Sequence, residues 1–98
     1  MTADQVEQIV LEAIETVNLT RDPDAQVPVS TTTPLYGPGA PLDSLGLVAL
    51  LIGTEEGLRA AGANVTLADD RAMSQTRSPF RSVPALVQYV LTLTGEGA

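Results

Sequence analysis

The 98-residue sequence contains no cysteine, no histidine and no lysine, and its five basic residues are all arginines. Without cysteine the chain has neither a disulfide framework nor a thiolate zinc site, and nothing marks it as secreted. Without histidine it has no ordinary base for a serine–histidine–acid triad, and without lysine it has no phosphate-binding loop. These absences argue against hydrolases and phosphate-loop enzymes, so we expect a protein that is not itself catalytic.

Negative charge dominates the sequence. Twelve acidic residues against five arginines give a formal net charge of −7. Such an acidic surface repels nucleic acid and anionic membranes, and it favours protein partners that present arginine or lysine patches. With no signal peptide and no apolar run of membrane-spanning length, we expect a cytoplasmic protein without membrane insertion. We also expect a monomer. We expect no metal site, because the acidic pairs at 55–56 and 69–70 are typical of solvated surface acids.

Length and hydrophobic periodicity indicate the fold class. The length suffices for one domain, residues 1–98, with one modest core. Apolar residues at helical spacing predict an all-α fold, a small four-helix bundle with three main helices, a short third helix and a long loop between the first two. The helices are expected at about 4–18, 43–61, 68–74 and 82–93, with the loop at 19–42 and an extended segment at 64–67.

Local signals at the helix ends agree with this assignment. Thr2 and Gln5 fit a capping box at the start of the first helix. Gly62 stands where a helix ends in a left-handed turn. Ser82 can cap the last helix, and Pro84 is tolerated in a first turn because its missing amide had no intrahelical partner there.

The predicted loop at 19–42 is long for a small domain. Its five prolines forbid a regular helix. A connection of this length normally packs or has a function, so we expect it to be held on the core rather than to be a flexible linker. Four apolar residues can anchor it: Val27, Val29, Leu35 and Tyr36.

The second predicted helix carries the most unusual local pattern. Asp43 and Ser44 stand at the head of a run that is otherwise almost wholly apolar. A serine in a first turn exposes its hydroxyl, and a phosphate group there meets free backbone amides and the positive end of the helix dipole. Ser44 is therefore a candidate attachment point for a phosphate-linked group.

The same helix has more apolar surface than one core contact requires. One face is predicted to point inward, and a neighbouring face holds Leu45, Val48 and Ile52. Either the helix is buried on most sides, or the second face binds a partner. The inward face consists of Leu47, Leu50, Leu51 and Leu58.

On these residues the sequence resembles the acyl carrier proteins and the related peptidyl carrier domains. The family signature is Asp-Ser-Leu at the start of the second helix, matched here by Asp43, Ser44 and Leu45. The order of the predicted elements matches over nearly the whole chain. Further residues at matching offsets are Val48, Leu50, Leu51, Glu55 and Glu56.

The resemblance implies a phosphoprotein of fatty acid or polyketide biosynthesis. Ser44 would receive phosphopantetheine from coenzyme A through a magnesium-dependent phosphopantetheinyl transferase, and Asp43 would help to position the metal and coenzyme A. The thiol of the arm would carry an acyl group as a thioester, which explains why the protein needs no cysteine. Acyl-loading and acyl-processing enzymes would contact a partner interface formed by Leu45, Val48, Ile52, Glu55 and Glu56.

The chain also departs from the family pattern. Gly46 and Ala49 stand where many members carry acids, and Gly57 replaces another frequent acid. Electrostatic docking sets encounter rate and partner choice, so the thinned acidic strip predicts a specialised pathway. Gly46, Gly53 and Gly57 should each weaken the helix by roughly 0.5–1 kcal/mol relative to alanine. The segment at 71–84 is also longer than the usual connection in the family. It is either a surface loop or a contact for the cargo or for a specific enzyme.

Three alternatives stay open at the level of sequence. The first is an aminoacyl or peptidyl carrier. The second is an unmodified helical adaptor that binds a protein through Leu45, Val48 and Ile52. The third is that Ser44 is simply a cap on an ordinary core helix.

Overall fold

The computed structural model describes residues 2–37, 39–67 and 80–94. These ranges contain α1 (Ala3–Asn18), α2 (Ser44–Ala60), α3 (Val83–Thr94) and a single 3-10 turn at Pro23–Ala25. They contain no strand, only an isolated antiparallel bridge between Pro34 and Ser82. The all-α prediction is confirmed. The predicted short helix at 68–74 lies outside the described residues, so the fourth helix of the bundle stays a prediction.

The helix ends follow the local signals in the sequence. The Thr2 hydroxyl accepts the Gln5 N–H at 3.2 Å, and the Thr2 N–H donates to Gln5 Oε1 at 2.8 Å, which completes the capping box. Gly62 has a φ of +95°, a left-handed conformation that glycine adopts without strain. The Ser82 hydroxyl accepts the Ala85 N–H at 3.3 Å. The three described helices begin and end within one residue of the positions expected for them.

The core lies where α1 packs against both other helices. The buried side chains of each helix recur every three or four residues, as the periodicity predicted. The Thr54 hydroxyl, buried among them, donates to the Leu50 carbonyl at 2.9 Å, so its burial leaves no unpaired polar atom. The helical core residues are Val6, Val10, Ala13 and Ile14 in α1, Leu47, Leu50, Leu51 and Leu58 in α2, and Val83, Leu86, Val87, Val90 and Leu91 in α3.

The described part of the long connection between α1 and α2 packs on this core. Val27 and Leu35 are buried, and Tyr36 is half-buried against the core, as predicted. The prediction that Val29 anchors the loop is wrong, because 46% of its surface is exposed. The chain turns after Val27 so that the buried Thr33 hydroxyl donates to the Pro28 carbonyl at 2.7 Å, and Val29 lies on the outside of that turn.

Backbone hydrogen bonds join this connection to the rest of the fold. The Asn18 side chain pairs with both the N–H and the carbonyl of Val27, at 2.8 and 2.9 Å. Farther along, the Leu35 N–H donates to the Arg81 carbonyl and the Val83 N–H donates to the Thr33 carbonyl, each at 2.9 Å. These hydrogen bonds attach the connection to the end of α1 and to the start of α3. They therefore help to position the segment that enters α2.

None of the three described helices combines the length and the apolar character that a bilayer-spanning segment needs.

Candidate functional site

The start of α2 positions the candidate attachment residue. Asp43 is the N-cap, and its Oδ1 atom accepts the Gly46 N–H at 2.8 Å. Its carbonyl accepts the Leu47 N–H at 2.9 Å, which is the first hydrogen bond of the helix. Ser44 is the first helical residue, one residue after the predicted start at about 43. The order of acid, serine and leucine therefore coincides with the order of cap, first residue and second residue of a helix.

This position favours a negatively charged group. The cap satisfies the Gly46 amide, and the amides of Ser44 and Leu45, as the first two of the helix, have no intrahelical acceptor. Both lie at the positive end of the helix dipole. A phosphate group attached at Ser44 would thus gain hydrogen-bond donors and a favourable field from the backbone alone.

Arg21 adds a cation at the same end of α2. Its Nε donates to the Ala25 carbonyl at 2.6 Å, and its Nη2 donates to the Pro41 carbonyl at 3.4 Å. Its Nη1 lies 3.7 Å from the point that a Cβ on Gly46 would occupy. The guanidinium therefore joins the loop to the chain entering α2, and it places a positive charge beside the first turn.

Sequence reasoning missed Arg21. It is the only basic residue before Arg59, and the residues around it in the sequence include several acids. A single cation in such a stretch can indicate a local hydrogen-bonding or charge interaction. The contact with the start of α2 could not be inferred, because it depends on how the connection folds back on the core.

The predicted apolar interface is exposed in part. Leu45 is 82% exposed and Ile52 is 48% exposed, whereas Val48 is half-buried. Ala49 is exposed between them, and helical spacing puts Leu45, Ala49, Ile52 and Glu56 on one side of α2. We call these four residues the α2 stripe. It runs for three turns from the candidate attachment site without a charge until Glu56.

The two acids of the predicted interface lie in different surroundings. Glu56 is exposed, but Glu55 is half-buried, and its Oε2 accepts the Leu67 N–H at 2.8 Å. Leu67 is itself fully buried. The Glu55 carboxylate thus holds the segment that follows α2, a structural role that spacing along the helix did not indicate. Whether either acid contacts a partner stays a prediction.

Two of the three positions where the resemblance leads us to expect an acid, Gly46 and Ala49, also differ. A Cβ on Gly46 would lie 3.0 Å from Leu42 Cδ2 and 3.2 Å from Asp43 Oδ1, closer than most real contacts. A side chain at 46 would therefore require these neighbours to shift by a few tenths of an ångström. Ala49 is exposed, so nothing in the fold prevents a longer side chain there. Packing therefore bears on the absence of an acid at position 46, but not on its absence at position 49.

The described residues contain no group of three or more acids placed to hold a metal ion. Comparison of the chain with protein-family models, with curated proteins and with solved structures finds no match.

Proposed function

We propose that this chain is a non-catalytic acyl carrier protein of a specialised biosynthetic pathway, in which Ser44 is the attachment residue for phosphopantetheine. The observation that carries the proposal is the coincidence of Asp43, Ser44 and Leu45 with the cap and the first two residues of α2. The attached arm would supply the thiol that holds an acyl group as a thioester, in a protein without cysteine. The short helix at 68–74, a cytoplasmic location and a monomeric state belong to the same proposal.

The residues around Ser44 fit a phosphodiester. The first-turn amides, which have no intrahelical acceptor, the helix dipole and the Arg21 guanidinium each favour negative charge at this point. Asp43 keeps the first turn of α2 in place through its bond to Gly46, and its carboxylate can assist the metal and coenzyme A of the transferase. Leu45 is exposed beside Ser44, where an enzyme acting on the serine would meet it.

Modification by a transferase tests this function. The purified protein is incubated with coenzyme A, magnesium and a broad-specificity phosphopantetheinyl transferase, and its intact mass is measured. We expect the mass of one phosphopantetheine to be added. If several competent transferases leave the mass unchanged, the carrier function is wrong and the exposed leucine favours the unmodified adaptor. The enzyme that loads the thiol then distinguishes an acyl carrier from an aminoacyl or peptidyl carrier.

Asp43→Asn separates the two tasks assigned to this acid. Asparagine caps a helix as well as aspartate does, so the free energy of unfolding should change by less than about 0.5 kcal/mol. The lost charge should lower the rate of modification. Asp43→Ala is the matched variant, because it also removes the bond to Gly46 and should cost about 1 kcal/mol of stability. Equal modification rates for Asp43→Asn and the parent would show that the Asp43 charge has no role in modification.

Leu45→Ser tests the apolar contact with partners. Because Leu45 is exposed, the melting temperature should hardly change. A leucine buried against the transferase contributes about 1.5–3 kcal/mol, so kcat/KM for modification should fall by about tenfold or more. Leu19→Ser, an equally exposed leucine at the end of α1, is the control and should behave as the parent. Equal losses in both variants would argue against docking at Leu45.

Ala49→Glu tests whether missing charge restricts partner choice. If it does, adding an acid at this exposed site should make the modified protein a better substrate for a fatty-acid malonyl transferase. The gain should reach about fivefold at low salt and shrink as salt screens the charge. Ala49→Gln is the control for side-chain size. A gain that the glutamine variant reproduces would show that charge is not responsible.

A further inference from the structure

A groove between α1 and α2 shares Glu56 with the α2 stripe and otherwise lies outside the site described above. Its cavity volume is about 300 Å³. Ile9 and Ala13 of α1 and Gly53 and Gly57 of α2 form an apolar floor. One carboxylate from each helix, Glu12 and Glu56, also lines it, and both residues are exposed.

The two glycines make this groove possible. A Cβ on Gly57 would lie 2.7 Å from Ile9 Cγ2, so the helices approach at a distance that only glycine permits. A Cβ on Gly53 would lie 3.6 Å from the Ala13 Cβ, an ordinary contact that would fill part of the floor. Because the two glycines have no side chains, the surface between Glu12 and Glu56 is recessed. In most helix pairs, larger side chains would fill this space.

We infer that this groove binds an arginine side chain of a partner protein. The three methylenes of an arginine can lie on the apolar floor while its guanidinium meets Glu12 and Glu56. A purely apolar side chain would bury the same floor but would partly desolvate two carboxylates without neutralising their charge. The groove lining contains no basic residue of this chain that would compete for the site.

Arginine fits the groove better than lysine. A planar, weakly hydrated guanidinium offers five donors and can pair with carboxylates on two sides, whereas an ammonium is a strongly hydrated point charge. A protein is the expected source, because a chain with a net charge of −7 repels nucleic acid and anionic lipid.

The groove is continuous with the α2 stripe. Glu56 belongs to both, and Leu45 at the other end of the stripe is eleven residues away, about 16 Å along the helix. A partner that lies along α2 from Leu45 would thus reach the groove with an arginine three turns farther on. The inference does not depend on modification of Ser44, and Ser44→Ala protein should bind arginine as the parent does.

An NMR titration tests the inference. The ¹⁵N-labelled full chain is titrated with N-acetyl-arginine-N-methylamide, with the lysine analogue and with the neutral citrulline analogue. We expect saturable shifts of the Ile9, Ala13, Gly53 and Gly57 amides with the arginine probe, weaker binding of lysine and no binding of citrulline. Glu12→Gln and Glu56→Gln should each weaken arginine binding about two- to fivefold.

Two further variants complete the test. Glu15→Gln removes an exposed acid of α1 outside the groove and should leave binding unchanged. Gly53→Leu, checked for folding by circular dichroism, should block the groove and abolish the saturable shifts. The inference is wrong if arginine and lysine bind equally, if the shifts spread over all exposed acids, or if Glu15→Gln weakens binding as much as Glu12→Gln does.

Discussion

Replacing Ser44 by alanine is expected to abolish phosphopantetheinylation completely. The transferase would find no hydroxyl at the first residue of α2, and no other described serine has a capping acid before it and an exposed leucine after it at a helix start. The fold should be unaffected, because Asp43 and not Ser44 caps the helix through the Gly46 amide. Intact mass after incubation with transferase and coenzyme A measures the effect, and circular dichroism checks the fold.

Two other serines provide controls. Ser82 caps the start of α3, and Ser30 lies exposed in the connection between α1 and α2. Ser82→Ala and Ser30→Ala should be modified to the same extent as the parent. If Ser44→Ala were modified as well as these variants, the attachment site would lie elsewhere and the role of Ser44 would reduce to the start of a helix.

Alanine at Gly57 and at Gly53 should change stability in opposite directions. A methyl group on Gly57 would meet Ile9 Cγ2 at 2.7 Å, and a β-branched side chain on a helix has too few rotamers to turn away. Overpacking of this kind costs about 1–3 kcal/mol, more than the roughly 0.5–1 kcal/mol that alanine contributes to a helix relative to glycine. At Gly53 the nearest atom is 3.6 Å away, so only the favourable helix contribution remains. Denaturant unfolding of both variants measures the difference.

A second-site change identifies the cause. Ile9→Ala removes the atom that a methyl group on Gly57 would meet. In that background Gly57→Ala should stabilise the protein, as Gly53→Ala does in the parent. Equal stabilisation by both alanines in the parent would mean that α1 and α2 are not as close as this geometry requires. It would also contradict the recessed groove between these helices.

These glycines show that helix propensity alone does not decide the effect of a side chain in α2. From the sequence, Gly46, Gly53 and Gly57 were expected only to weaken the helix. The packing gives Gly57 a function, because it lets α1 approach, whereas a side chain at Gly46 would require Leu42 or Asp43 to shift by a few tenths of an ångström. The contact of Gly57 with Ile9 depends on a helix that is distant in the chain, so no pattern within α2 could reveal it.

The helices themselves were predictable, because their signals are local. Periodic apolar residues set the buried faces, and Thr2, Gly62 and Ser82 set three of the ends. Within the described residues, these predictions needed no knowledge of how the chain folds back. The predicted helix at 68–74 lies outside those residues and stays a prediction.

The candidate site was predictable only in part. The position of Ser44 follows from its neighbours in sequence, but the half-burial of Val48 and Glu55 depends on what packs beside α2. The Leu67 backbone N–H donates to the Glu55 carboxylate. Every residue except proline has this group, so the sequence does not indicate which amide a carboxylate will bind. Arg21 likewise contacts the chain entering α2 because of the path of the loop.

The most direct measurement of the central claim is to locate the arm on the chain. After reaction with transferase, coenzyme A and magnesium, the protein is digested and its peptides are sequenced by tandem mass spectrometry. The account predicts one phosphopantetheine, carried by the peptide that contains Asp43, Ser44 and Leu45, with the fragment ions assigning it to Ser44. An arm found on any other residue, or an unmodified Ser44 in a protein that competent transferases have been offered, would contradict it.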